Sequence, residues 1–126
     1  MSSSTDEPSP NRRKLNQGRK YERLAAEFYS QKGFDILERN WRSGHKEIDI
    51  IVRRSKLIVF VEVKSTFSEK FGHPAGWIDR RKARNLIDAA NQYIIQNDIT
   101  DSDLRFDVVT FVNGRLEHFP NAFPAE

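Results

Sequence analysis

The stretch Leu57–Lys64, which reads LIVFVEVK, decides the fold because it is a strongly apolar run with two charges near its end. Successive side chains of a β-strand point to opposite faces of the sheet. The three valines of the stretch are therefore expected to share one face, and Phe60, Glu62 and Lys64 the other. A carboxylate and an ammonium on one face of such a strand require a chemical explanation.

The preceding segment, Glu47–Val52, also alternates and predicts a second strand. Its acidic residues fall on one face and its aliphatic residues on the other. The first face is expected to carry Glu47, Asp49 and Ile51, and the second Ile48, Ile50 and Val52. Both strands therefore carry acids on a single face.

A polar linker, 53–56, separates the two strands and predicts a hairpin. If the turn contains an even number of residues, Asp49 lies opposite Glu62, and Glu47 lies opposite Lys64. All four charged side chains then project from one patch. The alternative is a set of cross-strand ion pairs on a solvated face, each contributing on the order of 0.2–1 kcal/mol.

Two carboxylates and an ammonium at this range suit a divalent cation of the magnesium type, which prefers oxygen ligands and keeps several waters. Lys64 beside such a cation is suited to orient or deprotonate an attacking water, or to neutralise charge developing on a phosphate. The pattern in Asp49, Glu62 and Lys64 therefore predicts a site that hydrolyses phosphodiesters.

The composition of the chain narrows the classes of protein and the kinds of site that are possible. A chain of 126 residues makes one domain, and the absence of cysteine excludes disulfides and thiolate zinc sites. No run approaches the ~20 apolar residues of a membrane helix, and no signal peptide is evident, so we expect a cytoplasmic protein without membrane contact.

Neither a Gly-rich phosphate loop nor a Ser-His-Asp arrangement stands out. The histidines lack metal-ligand spacing and are interpreted as surface or loop residues: His45, His73 and His118.

The first fifteen residues are rich in Ser, Pro and charge, and we interpret 1–15 as a disordered tail before a single domain, 16–126. A helix is predicted from Asn16 to Gln31, with Gly33 as its C-cap residue. Its buried stripe is expected to comprise Tyr21, Leu24, Ala25 and Phe28.

After this helix, strands are predicted at 34–41, 47–52 and 57–65. A second helix follows, from an Asp79 N-cap to Gln96, with strands at 105–112 and 115–119. The inward face of the second helix is expected to carry Ala83, Leu86, Ile87, Ala90 and Ile94. This order predicts an α/β fold with a mixed sheet of four or five strands flanked by helices.

Basic residues suggest an interface for nucleic acid, and the net charge is +3. Arg80, Arg81 and Lys82 occupy the first turn of the second helix, where cations oppose the helix macrodipole. A sequence that accepts this cost is suited to hold phosphate there. Arg39 and Arg42, near the end of the first strand, are further candidates.

The residues Asp49, Glu62 and Lys64 match the catalytic motif of the PD-(D/E)xK, or restriction-endonuclease-like, nuclease superfamily, without its usual proline before the aspartate. From about Gly18 to Val109 the chain resembles the small bacterial YraN family of predicted endonucleases, which is similar to archaeal Holliday-junction resolvases. The matching segments are GRKYERLA (18–25), GF (33–34), ILERNWR (36–42), EID (47–49), FVEVK (60–64), Gly72 and Lys82.

The resemblance implies a restriction-endonuclease-like three-layer fold and a magnesium or manganese ion held by Asp49 and Glu62, with the Val63 carbonyl as a third ligand. It also implies a homodimer, because two strands of a junction are cut symmetrically. The chain departs from the family in having Ser65 and Thr66 where an arginine usually follows the motif lysine, so one phosphate contact is missing. It also has two residues between Gly44 and the EID run, where the family has none.

Glu22 has two interpretations. In related nucleases a glutamate on the first helix assists the metal site, which makes Glu22 a candidate helper. The other interpretation is an exposed glutamate paired with Arg19 or Arg23 along the helix.

Together these features predict a Mg²⁺- or Mn²⁺-dependent endonuclease acting on structured or branched DNA, with DNA favoured over RNA. The candidate catalytic residues are Asp49, Glu62, Lys64, Glu22 and Glu47, and the candidate nucleic-acid contacts are Lys82, Arg81, Arg80, Arg42 and Arg39. The alternative is a catalytically weak nucleic-acid-binding module that acts with a partner protein.

Overall fold

The computed structural model describes residues 10–66 and 80–124. Within them, two helices and five strands follow the predicted order. Their bounds are α1 Pro10–Gln31, β1 Asp35–Ser43, β2 Lys46–Arg54, β3 Leu57–Thr66, α2 Arg80–Gln96, β4 Asp103–Val112 and β5 Arg115–Phe119. The proposed N-cap Asp79 and the candidate loop residue His73 lie outside the described residues.

The strands form one mixed sheet in the order β1-β2-β3-β4-β5. Only β3 and β4 are parallel among these neighbours, and α2 supplies the crossover between them. The other three pairs are antiparallel. The turn at Asn113 and Gly114, which joins β4 to β5, has φ of 52° and 83°, as a tight two-residue hairpin requires.

The sheet separates two apolar clusters, so the fold has the expected three layers. On one face α1 packs against the sheet through Ala25, Ala26 and Tyr29. On the other face α2 packs through Leu86, Ala89, Ala90 and Tyr93. This α/β architecture, with a five-stranded mixed sheet between two helices, agrees with a restriction-endonuclease-like fold.

The helix α1 begins at Pro10, six residues before the predicted start at Asn16. Proline is well suited to the first helical position because no hydrogen bond from its nitrogen is lost there. The buried stripe also continues beyond Phe28 to Tyr29, which is fully buried.

The end of α1 is set by Gly33, as predicted. Its φ is 89°, its N–H donates to the Ser30 carbonyl, and the Phe34 N–H donates to the Tyr29 carbonyl. These bonds form a Schellman motif, which satisfies carbonyls that the last helical turn leaves free. Arg54 of β2 also donates to the Lys32 carbonyl at 2.7 Å, tying the helix end to the sheet.

The predicted hairpin is present, with a two-residue turn at Ser55 and Lys56. Arg54 pairs with Leu57 and Ile50 pairs with Val61, which is the register that was inferred from the charges. The valines of β3 face α1, and Phe60 faces α2, again as predicted.

The predicted face of Ile48 is wrong. Ile48 packs on the α2 side with Ile51, whereas Ile50 packs on the α1 side. Simple alternation therefore breaks between Ile48 and Ile50, at Asp49. The neighbouring strand β1 has an irregular backbone at the same level. Asn40, which the register places opposite Asp49, has a left-handed φ of 55°.

None of the described helices combines the length and the apolar character needed to cross a membrane.

Candidate functional site

The candidate site lies where the pairing between β2 and β3 ends. The last ladder pair is Ile50 with Val61, and the same register places Asp49 opposite Glu62. Here the Asp49 side chain enters the hydrogen bonding: its Oδ2 accepts from the Val63 N–H at 2.9 Å. The carboxylate is thus fixed beside β3, next to the second acid of the motif.

Glu62 is the buried centre of the site, since its side chain is only 6% exposed. Two ammonium groups approach the same oxygen. Lys64 Nζ lies 3.4 Å from Glu62 Oε2, and Lys82 Nζ lies 3.3 Å from it. Lys64 comes from the same strand face, as predicted, whereas Lys82 comes from the first turn of α2.

Within residues 10–66 and 80–124, no ammonium or guanidinium group pairs with Asp49 in this way. Burial and, after it, repulsion from Glu62, Glu22 and Glu47 raise the pKa of Asp49 to about 8, against the opposing effect of the hydrogen bond from Val63. The cause is a carboxylate surrounded by other carboxylates in a poorly solvated place. Added positive charge at this point would relieve that repulsion.

Glu22 of α1 reaches this cluster. Burial raises the pKa of Glu22, a hydrogen bond from Asn40 opposes the rise, and repulsion by Glu47 and Glu62 adds to it. These interactions agree with the interpretation of Glu22 as a site residue. In the interpretation as a helix ion pair, Arg23 was a candidate partner, but Arg23 instead lies 4.0 Å from Glu27.

Asn40 is a site residue that the sequence analysis missed. It lies opposite Asp49 in the β1–β2 register, and its side chain bonds Glu22. Asparagine tolerates left-handed backbone better than most residues, so an Asn within a strand pattern is the one local signal that could have indicated this kink.

Glu47 lies at the edge of the cluster, with Oε2 3.8 Å from Arg42 Nε. Its charge reaches both Asp49 and Glu22. Arg39, also on β1, is exposed, and its charge lowers the pKa of Glu22 against the larger effect of burial. The β1 arginines therefore border the acidic cluster.

On the other side of the cluster, Arg80 and Arg81 are exposed at the start of α2. Lys82 differs from them because its ammonium lies on Glu62. The structure thus places Lys82 within the acidic cluster, a position not recognised when it was grouped with the two arginines. An ion pair of 3.1 Å between Lys46 and Asp88 ties α2 to the beginning of β2.

The acidic side chains of the cluster are candidate ligands for a divalent cation. Across residues 10–66 and 80–124, no three His, Asp or Glu side chains are arranged as a ready metal cage. Magnesium, however, is typically held by one or two carboxylates together with waters and substrate oxygens. Asp49 and Glu62 supply such carboxylates in surroundings that favour a cation, so the residues fit the group. The Val63 carbonyl as a third ligand stays a prediction; the bond to Asp49 uses the Val63 N–H.

A second buried acid, Asp107 of β4, was not singled out from the sequence. Burial by itself raises its pKa, but hydrogen bonds from His118, Arg105, Tyr29 and the Asn121 N–H outweigh this and lower the pKa of Asp107 to about 2. The interactions with side chains of Arg105, Tyr29 and His118 measure 2.7–2.9 Å.

The interpretation of His118 as a surface or loop residue is therefore wrong. His118 lies on β5, its side chain is only 20% exposed, and Nε2 contacts Asp107 Oδ2. The partners are distant in sequence, so no local pattern indicated the contact. His45, in the turn between β1 and β2, is exposed as expected.

The family model and the relatives that match this chain carry the same family name. A family model described as "Uncharacterised protein family UPF0102" matches residues 21–111. A UPF0102 protein of Persephonella marina is 42% identical over 106 residues, covering 84% of this chain and 91% of the relative. A UPF0102 protein of Flavobacterium psychrophilum is 41% identical, covering 81% and 88% respectively. The matched region includes Glu22, both acids of the motif, and both lysines on Glu62.

Proposed function

The chain belongs to the UPF0102 family, and from its site we propose that it is a metal-dependent endonuclease of the PD-(D/E)xK superfamily, related to the YraN proteins. The observation that carries the proposal is the group formed by Asp49, Glu62 and Lys64. A nearly buried glutamate is paired with a lysine from its own strand, beside an aspartate whose surroundings are short of positive charge. A set of ordinary surface ion pairs would be solvated and self-compensated.

In this proposal Asp49 and Glu62 hold Mg²⁺ or Mn²⁺, with the Val63 carbonyl as a third protein ligand. The ion supplies a Lewis acid for the phosphate and lowers the pKa of water. Lys64 has donors and no acceptor, so it is not a ligand, and its Nζ is placed to orient the attacking water or to offset charge on the phosphate.

Glu22 and Glu47 have supporting roles. Both contribute negative charge at Asp49, which strengthens the attraction of the site for a cation. Asn40 fixes the Glu22 carboxylate through its hydrogen bond. Removal of Glu22 is therefore expected to weaken metal binding without removing a direct ligand.

The proposed substrate is DNA with a branched or otherwise structured backbone, cut in the cytoplasm by a homodimer. Arg39 and Arg42 on one side of the acidic cluster, and Arg80 and Arg81 on the other, supply positive charge on exposed side chains. Such residues attract phosphates largely without regard to base sequence. The preference for branched DNA rests on the resemblance to junction resolvases.

The test is a panel of labelled duplex, single-stranded, flap and four-way-junction DNAs, incubated with the full chain with and without Mn²⁺. We expect metal-dependent cleavage of at least one substrate. Salt-dependent binding without cleavage of any substrate would instead indicate the binding-module alternative. Absence of both cleavage and binding would overturn a nucleic-acid function.

Lys64→Ala sharpens this test. Because Lys64 acts on charge that develops during the reaction, its removal should lower the cleavage rate by roughly 10²–10³-fold, a loss of turnover more than of affinity. Lys56→Ala, in the turn at the other end of β3, removes the same charge and serves as the control. Cleavage by Lys64→Ala at the wild-type rate would contradict the assigned role.

A further inference from the structure

Lys82 occupies an unusual position for a residue in a basic helix turn. Its Nζ lies 3.3 Å from Glu62 Oε2, the same oxygen that Lys64 Nζ approaches at 3.4 Å. Two ammonium groups thus share one oxygen of a nearly buried carboxylate. Only one of them belongs to the E-x-K motif; the other is brought across by the packing of α2 on the sheet.

The two ammonium groups are attracted to this oxygen as long as Glu62 carries its full negative charge. When the carboxylate is shared with a divalent cation, two ammonium groups remain within a few ångströms of that cation. Like charges at such distances repel strongly in a poorly solvated site. At least one lysine must then move away or find another anion.

Lys82 is the lysine placed to move. Its chain neighbours Arg80 and Arg81 are exposed, so cations are concentrated in this first turn of α2. Its side chain is 41% exposed, and its long stem can swing outward without a shift of the helix backbone. A phosphate of an approaching nucleic acid is an anion of the right chemistry to receive a displaced ammonium.

We propose that Lys82 is a second lysine of the site, which neutralises Glu62 in the metal-free protein and transfers to a phosphate of the nucleic acid when a divalent cation takes the carboxylate. This inference rests on the proposed function. It assigns opposite effects to one side chain: Lys82 hinders metal binding in the absence of DNA and favours DNA binding once metal is present. A simple DNA contact or a simple structural ion pair would not produce both effects.

The first measurement is calorimetric titration of the full chain with Mn²⁺ alone, without DNA. Lys82→Gln removes the competing charge and should bind Mn²⁺ roughly fivefold more tightly. Lys82→Arg keeps the charge and should stay close to wild type. Lys56→Gln has the same change in net charge at the far turn and should also stay close to wild type.

The second measurement is binding to four-way-junction DNA in Ca²⁺, an oxygen-binding cation used here to load the site, over a series of salt concentrations. Lys82→Gln should bind more weakly, with a salt slope shallower by about one phosphate contact. Lys82→Arg should restore the slope. Melting temperatures of all variants show whether they fold.

The results separate the inference from the proposed function. Unchanged or weaker Mn²⁺ binding by Lys82→Gln, with normal binding and cleavage by wild type, would overturn the inference and leave the nuclease in place. A lower melting temperature with no gain in Mn²⁺ affinity would make Lys82 a structural residue. An unchanged salt slope would exclude the transfer to phosphate. Failure of wild type to bind Mn²⁺ would overturn both proposals.

Discussion

Asp49 and Asp107 are aspartates of the same sheet whose pKa values are shifted in opposite directions, although burial raises both. The pKa of Asp49 is raised to about 8 by burial and by its acidic neighbours. Burial also raises the pKa of Asp107, but donors from α1, β4, β5 and the segment after β5 reverse the shift and lower it to about 2. A buried carboxylate is therefore not in itself a sign of function.

The two acids differ in whether the protein itself supplies enough hydrogen-bond donors or positive charge to stabilise the carboxylate. Asp107 receives all its hydrogen bonds from within the chain and ties the C-terminal hairpin to α1. In the described part of the chain, Asp49 receives one backbone hydrogen bond and faces three other acids. We interpret Asp107 as the centre of a structural network and Asp49 as part of a site that needs a cation from outside.

Asp107→Ala gives the largest expected effect on stability and tests the structural side of this comparison. It should lower the free energy of unfolding by about 3 kcal/mol, because four donors lose their common acceptor in a largely buried place. Urea unfolding measures the loss. Asp103→Ala, an exposed position on the same strand, should change stability by less than about 0.5 kcal/mol. Similar losses for both variants would show that the network does not stabilise the fold.

This comparison also shows what the sequence could predict. Glu62 and Asp107 give the same local signal, an acid inside an apolar strand, yet only one of them belongs to the candidate site. The helices, the strands and the pairing of Asp49 with Glu62 follow from periodicity and turn residues, which act over a few positions. These features can therefore be predicted from the sequence alone.

The remaining features depend on contacts between distant elements. Tyr29 and Asp107 are 78 positions apart. Lys82 reaches Glu62 only because of how α2 crosses the sheet, which no local pattern specifies. The unexpected face of Ile48 occurs at the level of the left-handed Asn40 on the neighbouring strand, and Asn40 in turn bonds Glu22 of α1, so this region also depends on contacts between elements.

The pH dependence of stability should reflect Asp107. Its pKa is lowered from 3.8 in the reference state to about 2 in the fold. The folded protein therefore binds this proton less readily than the unfolded chain. The stabilisation of the fold by ionised Asp107 is therefore complete above about pH 4 and is lost as the pH falls toward 2.

The loss corresponds to about 2 kcal/mol. Urea unfolding of wild type and Asp107→Asn between about pH 5 and pH 2 measures it, because the variant cannot ionise at this position and the stability difference should narrow as the pH falls. A difference that stays constant over this window would show that the charge of Asp107 does not contribute.

Asp49→Asn should have the smallest of these effects on stability. Unlike Asp107→Ala, it should stabilise the fold. It removes a carboxyl group whose ionised form is disfavoured in the fold by burial and by repulsion from the neighbouring acids, while the amide oxygen can still accept from the Val63 N–H. The metal-free variant should therefore be more stable than wild type by about 1 kcal/mol at neutral pH. Mn²⁺ should raise the melting temperature of wild type by mass action and leave that of the variant nearly unchanged. Asp35→Asn, at an exposed position on β1, is the control for removal of one negative charge. If Asp49→Asn instead lost stability without metal, as the Asp107 variant is expected to, then Asp49 would be a compensated structural acid, and the distinction between the two regions would fail.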